Sequence, residues 1–201
     1  MRRPAISVGR RKLLLVLVPA LVLAAAIAAI SVAALRRGAE RPQLRVGVSA
    51  PALAADAVRG GSVSIDRLRG RIVLLSFLNS RADASPEGNP SRAEIVFLRS
   101  MQTQHARFGL RVIVVDAAEL AGAGRPSRNE LVNYTYDWNL DPAMAVLRDD
   151  GTFASRFGVE DVPTTFLIGP DGVVRDRWNS FVPAARLDLA IRRLEGRSPT
   201  G

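Results

Sequence analysis

Few side chains in this sequence can do chemistry, and they fall in three places. The 201-residue chain contains no cysteine and a single histidine, His105. No thiolate nucleophile, thiolate zinc site or iron–sulfur ligation can therefore arise from its own residues. The first place is a polar loop that holds Arg81, Asp83, Ser85 and Glu87 and leads to Ser91. A serine hydroxyl needs a base to become a nucleophile. His105 lies fourteen residues beyond Ser91, about 20 Å along a helix, which is too far to serve. Ser91 with Glu94 three residues later has capping-box spacing instead. The second place is the strand end at Asp116 with nearby Glu119; together with Asp83 and Glu87 these make a carboxylate set whose spacing matches no metal motif. The third is Pro163, inside the stretch GVEDVPTTFLIGPDG from Gly158 to Gly172. The residues thus predict no catalytic side chain, no metal and no cofactor.

The elements that must position these residues alternate in type. Ile72 to Leu78 is a continuous apolar run of the kind found in a buried central strand, and Leu110 to Val115, ending at Asp116, is a second. Between them Ser91 and Glu94 open a helix that continues through Ile95, Leu98, Met101 and His105, with His105 expected exposed or half-buried. Ser127 and Glu130 mark another capped helix, Ala143 to Leu147 a short strand, and Phe153 to Phe157 one or two helical turns. Pro163 cannot donate a ladder hydrogen bond, so it belongs at the start of the strand Thr164 to Ile168. The Gly169-Pro170-Asp171-Gly172 cluster turns the chain into a last strand, Val173 to Trp178. Ala184 to Leu194 is an amphipathic helix with Leu187, Ile191 and Leu194 on one face. Near the start, Gly60-Gly61 breaks a short hairpin whose second strand is Ser62 to Ile65. Tyr134, Tyr136, Trp138 and Trp178 are assigned to the edge of the core. Strands alternating with helices, closed by a hairpin and a helix, predict an α/β sandwich with a mixed central sheet.

The Gly158–Gly172 stretch closely resembles the cis-proline segment of thioredoxin-like proteins. The nearest likeness is to membrane-anchored thiol-disulfide oxidoreductases of the TlpA type and the related redoxins of the alkyl hydroperoxide reductase and thiol-specific antioxidant group. Ala50-Pro51, the LRGR at Leu68 to Arg71, and PSRAE at Pro90 to Glu94, similar to the family's PCRAE, extend the resemblance over roughly residues 47–194. It implies a thioredoxin-like fold in which the proline faces a Cys-x-x-Cys at a helix N-terminus. Counted forward from Phe77, the family spacing puts the cysteines at Ala82 and Ser85; counted back from PSRAE, it puts them at Gly88 and Ser91. The two registers differ by six residues and neither contains a thiol, so the loop is enlarged and the redox pair is missing. The resemblance then leaves a groove, formed by Val162, Pro163, Thr164, Arg81, Asp83, Ser85 and Ser91, that holds an extended peptide or a partner protein. The alternative is an enzyme of the redoxin or thioredoxin type, oxidoreductase or antioxidant, that uses a non-thiol or partner-supplied group.

Charge and hydropathy place the domain. The formal net charge is +9, but residues 1–45 carry nine basic residues against one acidic, and the remainder nineteen against eighteen. The excess belongs to the N-terminal segment, so no nucleic-acid partner is expected. Residues 13–35 form a run without a charge, long enough to cross a hydrocarbon layer of ~30 Å. They read as an uncleaved transmembrane signal anchor; the small residues at Ser31-Val32-Ala33 offer a cleaved signal peptide as the competing reading. Residues 1–12 are then a basic cytoplasmic segment, 36–46 a linker, 47–195 an extracytoplasmic thioredoxin-like domain in a single-pass membrane protein, and 196–201 a flexible tail.

Overall fold

The run Ile72–Leu78 becomes β3, and all seven of its residues are buried. A strand so uniformly apolar needs cover on both faces, and the remaining elements supply it. The structure is a computed structural model that describes residues 43–81 and 90–196. The expected anchor at 13–35 and the loop residues Asp83, Ser85 and Glu87 lie outside the described residues. Among the described residues no helix is long and apolar enough to cross a membrane.

In chain order the elements are β1 (Ala54–Asp56), β2 (Ser62–Ser64), β3, α1 (Pro90–His105), β4 (Leu110–Asp116), α2 (Arg128–Asp137), β5 (Ala145–Arg148), α3 (Thr152–Arg156), β6 (Thr164–Ile168), β7 (Val174–Trp178) and α4 (Ala184–Leu194). The first two pair as a small antiparallel hairpin, and the other five strands form one sheet in the order β5-β4-β3-β6-β7. β3, β4 and β5 run parallel, whereas β6 is antiparallel to β3 and β7 to β6. The mixed sheet matches the expectation from sequence.

Alternation along the strands sends side chains to two layers. Ile72, Leu74, Val112 and Val114 pack with Ile95, Leu98 and Met101 of α1 and with Leu187 and Ile191 of α4. Val73, Leu75, Phe77, Ile113 and Val115 pack on the other face with Leu53, Ile65 and Ala154. There Phe77, Phe157 and Phe166 meet with ring centroids 5.4–6.0 Å apart, and truncating such a ring to alanine costs about 3–5 kcal/mol.

Local signals explain the ends of several elements. Ser127 and Glu130 form the capping box foreseen for α2, with Ser127 Oγ accepting the Glu130 N–H and Glu130 accepting the Ser127 N–H. Asp149 is buried because its carboxylate accepts the Phe153 and Ala154 N–H groups at 2.9 and 2.8 Å, satisfying the first turn of α3. At the hairpin turn Gly172 has φ +76°, and a Cβ there would collide with the Arg69 guanidinium. The strand expected from Ala143 begins at Ala145, since Asp141 Oδ1 first accepts the Ala143 N–H in a turn.

Candidate functional site

The candidate site lies at the C-terminal end of β3, where the chain leaves the sheet toward α1. Its three supports come from different elements. Asn79 donates its N–H to Ser91 Oγ at 3.1 Å, tying the strand end to the first turn of α1. Ser80 donates its N–H to Asp116 Oδ1 at 3.1 Å, and its hydroxyl donates to the same oxygen. Burial raises the Asp116 carboxyl above its ordinary range, partly offset by the Ser80 hydrogen bonds. Arg81 pairs with Glu130 of α2, whose carboxyl is held low first by the Ser127 N–H and hydroxyl and then by Arg81. The described part of the loop is thus fastened to α1, β4 and α2 in three successive residues.

Facing this end is the start of β6. The Val162–Pro163 peptide is cis, and Phe77 of β3 is in register with Thr164, Ser76 with Thr165. Pro163 and Thr164 are buried and Val162 is half-buried; the Thr164 hydroxyl donates to the Asp161 carbonyl at 2.7 Å. Of the residues expected to form a groove, Val162, Pro163, Thr164, Arg81 and Ser91 all sit at this end of the sheet. Val162 and Arg81 are the ones that reach solvent, because Ser91 is only 2 % exposed. Asp83 and Ser85 fall outside the described residues.

The sequence reading of Ser91 and Glu94 as a capping box is corrected here. α1 begins at Pro90, a favoured first helical residue, so Ser91 already lies inside the helix. Glu94 does not turn back to a cap. It is 0 % exposed and points into the layer between α1 and the sheet. Its Oε1 accepts hydrogen bonds from the Thr165 and Ser76 hydroxyls, and the Val182 backbone also bonds to the carboxyl. Oε2 is buried with no partner. Desolvation dominates, and it raises the Glu94 carboxyl to about 7. A signal for this was present: Ser91, Glu94, Ile95, Leu98, Met101, Gln102 and His105 share the buried helical face, and the period of the apolar residues already places Glu94 and His105 on it.

His105 is likewise corrected. Rather than exposed or half-buried, it is 1 % exposed, with Nδ1 2.9 Å from Glu195 Oε1 and Nε2 2.9 Å from Asp188 Oδ1. It clamps α4 to the far end of α1 and has no part in the site. The aromatics divide. Tyr134 and Trp138 stack obliquely with centroids 6.2 Å apart, and Arg92 lies over Trp138 at 5.0 Å. Burial, together with nearby Asp116, pushes the Tyr134 phenol well up. Trp178 is buried and Tyr136 is 63 % exposed. Among the described residues no group of acidic or histidine side chains could hold a metal ion, and Asp116 is already committed to Ser80.

The strand order, the cis-proline opposite the end of β3 and the helix that follows define a thioredoxin-like redoxin domain of the TlpA type, in a chain without cysteine. Comparison with known proteins agrees: the pattern of the AhpC/TSA family matches residues 46–177, and the chain belongs to that family. It is similar to the thiol-disulfide oxidoreductase ResA of Bacillus cereus, 24% identical over 140 residues that cover 69% of this chain and 72% of the relative. ResA of Bacillus anthracis is 24% identical over 137 residues, 68% of this chain and 70% of the relative. Among solved structures, a thiol:disulfide interchange protein of the thioredoxin family from Chlorobium tepidum TLS superposes with a TM-score of 0.60 at 20% identity, covering 76% of this chain and 99% of that one. A secreted Mycobacterium tuberculosis disulfide oxidoreductase homologous to E. coli DsbE superposes with a TM-score of 0.56 at 17% identity, covering 71% and 96%. These structural likenesses speak for the fold.

Proposed function

We propose that this chain is a membrane-anchored, extracytoplasmic thioredoxin-like domain that performs no thiol–disulfide exchange by itself and binds an extended peptide or a partner protein at the surface beside Pro163. The observation that carries this reading is the combination of a retained cis-Pro163 segment with the complete absence of cysteine. Without a thiol there is no accessible disulfide couple, and a serine hydroxyl cannot supply one. What persists is the main chain that leads into β6. Before the buried Pro163, Val162 is half-buried and Asp161 exposed, and an extended chain can pair with main-chain groups there much as a strand pairs with a sheet edge. The uncharged run at 13–35 and its basic flanks support anchoring, and both ResA relatives are thiol-disulfide oxidoreductases by name.

Crosslinking of the full chain in its native membranes, followed by identification of the attached polypeptide, tests the reading. Capture of one partner that is lost in Val162→Asp supports it. A crosslinking pattern identical in the variant would overturn the assigned surface.

A second reading is an enzyme of the redoxin type that uses a non-thiol or partner-supplied group. Glu94 favours it, because a buried carboxyl that titrates near 7 can take up or release a proton at physiological pH. Turnover that appears only with the partner present and is lost in Glu94→Gln would select this reading.

A further inference from the structure

The first described residues, Gln43 and Leu44, are fastened to the loop that leads into cis-Pro163. Gln43 Nε2 donates to Glu160 Oε2 at 3.3 Å. The Arg177 guanidinium closes a second link, with Nη1 donating to the Leu44 carbonyl at 3.1 Å and Nη2 to the Gly158 carbonyl at 2.9 Å. Arg177 is itself fixed, because Nε donates to Asn179 Oδ1 at 2.6 Å and its guanidinium carbon lies 5.2 Å from the centre of the Phe166 ring.

From there the entry segment runs antiparallel to β7 and away from Pro163. Gly47 donates its N–H to the Val174 carbonyl at 2.8 Å, Val174 donates to the Val48 carbonyl at 2.9 Å, and Ala50 donates to the Gly172 carbonyl at 2.9 Å. Trp178, at the other end of β7 from Gly172, is in register with Thr165, two residues after Pro163. Gln43 therefore marks the Pro163 end of the sheet and Ala50 the opposite end.

Residues 36–42 are all that separates the uncharged run at 13–35 from Gln43. In any conformation that stretch reaches at most roughly 30 Å. A compact domain of this length has a radius of gyration of about 15 Å and is about 40 Å across. The tether is shorter than the domain, so with residues 13–35 in a bilayer the Pro163 end cannot be carried to the side that faces away from it. A polypeptide segment confined to the same membrane surface meets that end at a raised effective concentration, which a freely diffusing one does not.

We propose that the surface beside Pro163 faces the membrane and engages the extracytoplasmic segment of an integral membrane protein, close to where that segment leaves the bilayer. The proposal rests on the anchoring and peptide-binding readings above and adds to them the kind of partner.

Because the chain has no cysteine, a single introduced thiol carries a probe without competition. Asp161→Cys places one at the exposed position before Val162. Arg67→Cys places one at an exposed position in the turn Asp66–Leu68, which the Gly70 N–H, donating to the Pro170 carbonyl at 2.8 Å, holds at the opposite end of the sheet. The full chain with a donor fluorophore at either position is reconstituted into phosphatidylcholine vesicles that hold a low density of acceptor-labelled phosphatidylethanolamine. The probe at 161 is expected to transfer at least twice as efficiently as the probe at 67. Equal or reversed transfer, in a chain that floats with the vesicles, overturns the proposal alone. A chain that does not float overturns the anchoring reading and the proposal with it. A benzophenone on the same Asp161→Cys thiol, activated in native membranes, identifies the partner. The expected adduct is an integral membrane protein crosslinked beside one of its membrane spans. Adducts only with a soluble polypeptide or with a second copy of this chain overturn the assigned partner, and no adduct at all overturns the binding reading together with it.

Discussion

Glu94 of α1 accepts a hydrogen bond from Thr165, the second residue after cis-Pro163, and so links the helix that leaves the site to the strand that faces it. Ser76 of the central strand joins the same carboxyl at 3.4 Å. One side chain therefore bridges α1, β3 and β6 directly behind the candidate site.

The first prediction concerns the pH dependence of this bridge. Burial raises the Glu94 carboxyl from 4.5 to about 7, so between those values the folded chain holds a proton that the unfolded chain has released. The contribution is fully present below about pH 4.5 and is lost as the pH rises through about 7. The loss is on the order of 3 kcal/mol at ~1.4 kcal/mol per pH unit. Glu94→Gln, neutral at every pH, should flatten this slope and match or exceed the parent at pH 8. Urea unfolding of both proteins at pH 5 and pH 8 measures it, and equal slopes would show that Glu94 is not protonated in the folded chain.

Asp116 should matter for the order of the loop start more than for the core. Asp116→Asn keeps an acceptor for the Ser80 N–H but gives up the carboxylate's charge, and Asp116→Ala removes both bonds to Ser80. The alanine variant is expected to lose about 1–3 kcal/mol, with the asparagine variant in between. Amide hydrogen exchange at Ser80 should accelerate in the same order. Unchanged protection in the alanine variant would mean that Asp116 does not hold the strand end.

The clamp between α1 and α4 allows a third test. Removing the imidazole in His105→Leu leaves the Glu195 side chain, itself 2 % exposed, without its histidine partner. A cost of about 1–3 kcal/mol is expected, as for a buried polar group that loses its hydrogen-bond partner. Combining it with Glu195→Gln should recover part of that loss. A double-mutant cycle by chemical denaturation reads the coupling, and strict additivity would contradict a direct His105–Glu195 interaction.

The fourth prediction is chemical. The full chain should reduce neither insulin with dithiothreitol nor peroxide with a thioredoxin donor above the uncatalysed rate. Gly88→Cys with Ser91→Cys, which writes a Cys-x-x-Cys into the PSRAE register, should bring insulin reduction above that background. Turnover by the unaltered chain would refute its assignment as redox-inactive.

The order of strands and helices was legible because their signals are local. The six apolar residues of β3 and the proline and turn residues that frame β6 do not depend on distant partners for their meaning. The Ser127–Glu130 box was read correctly for the same reason. The box at Ser91–Glu94 was misread because the helix starts two residues earlier than a Ser91 cap requires, at Pro90, which leaves Glu94 on the buried face.

Composition alone excludes a thiol nucleophile from the chain's own residues, since a missing cysteine is missing in any fold. The sequence likewise carries the sheet-and-helix order, written in patterns a few residues long. The environment of Glu94 and the burial of His105 between Asp188 and Glu195 belong to the folded chain. Each brings together groups about 70 to 90 residues apart. The charge state of a carboxyl and the partners of an imidazole follow from solvent exclusion and cross-element contact, which do not exist until the helices close over the sheet.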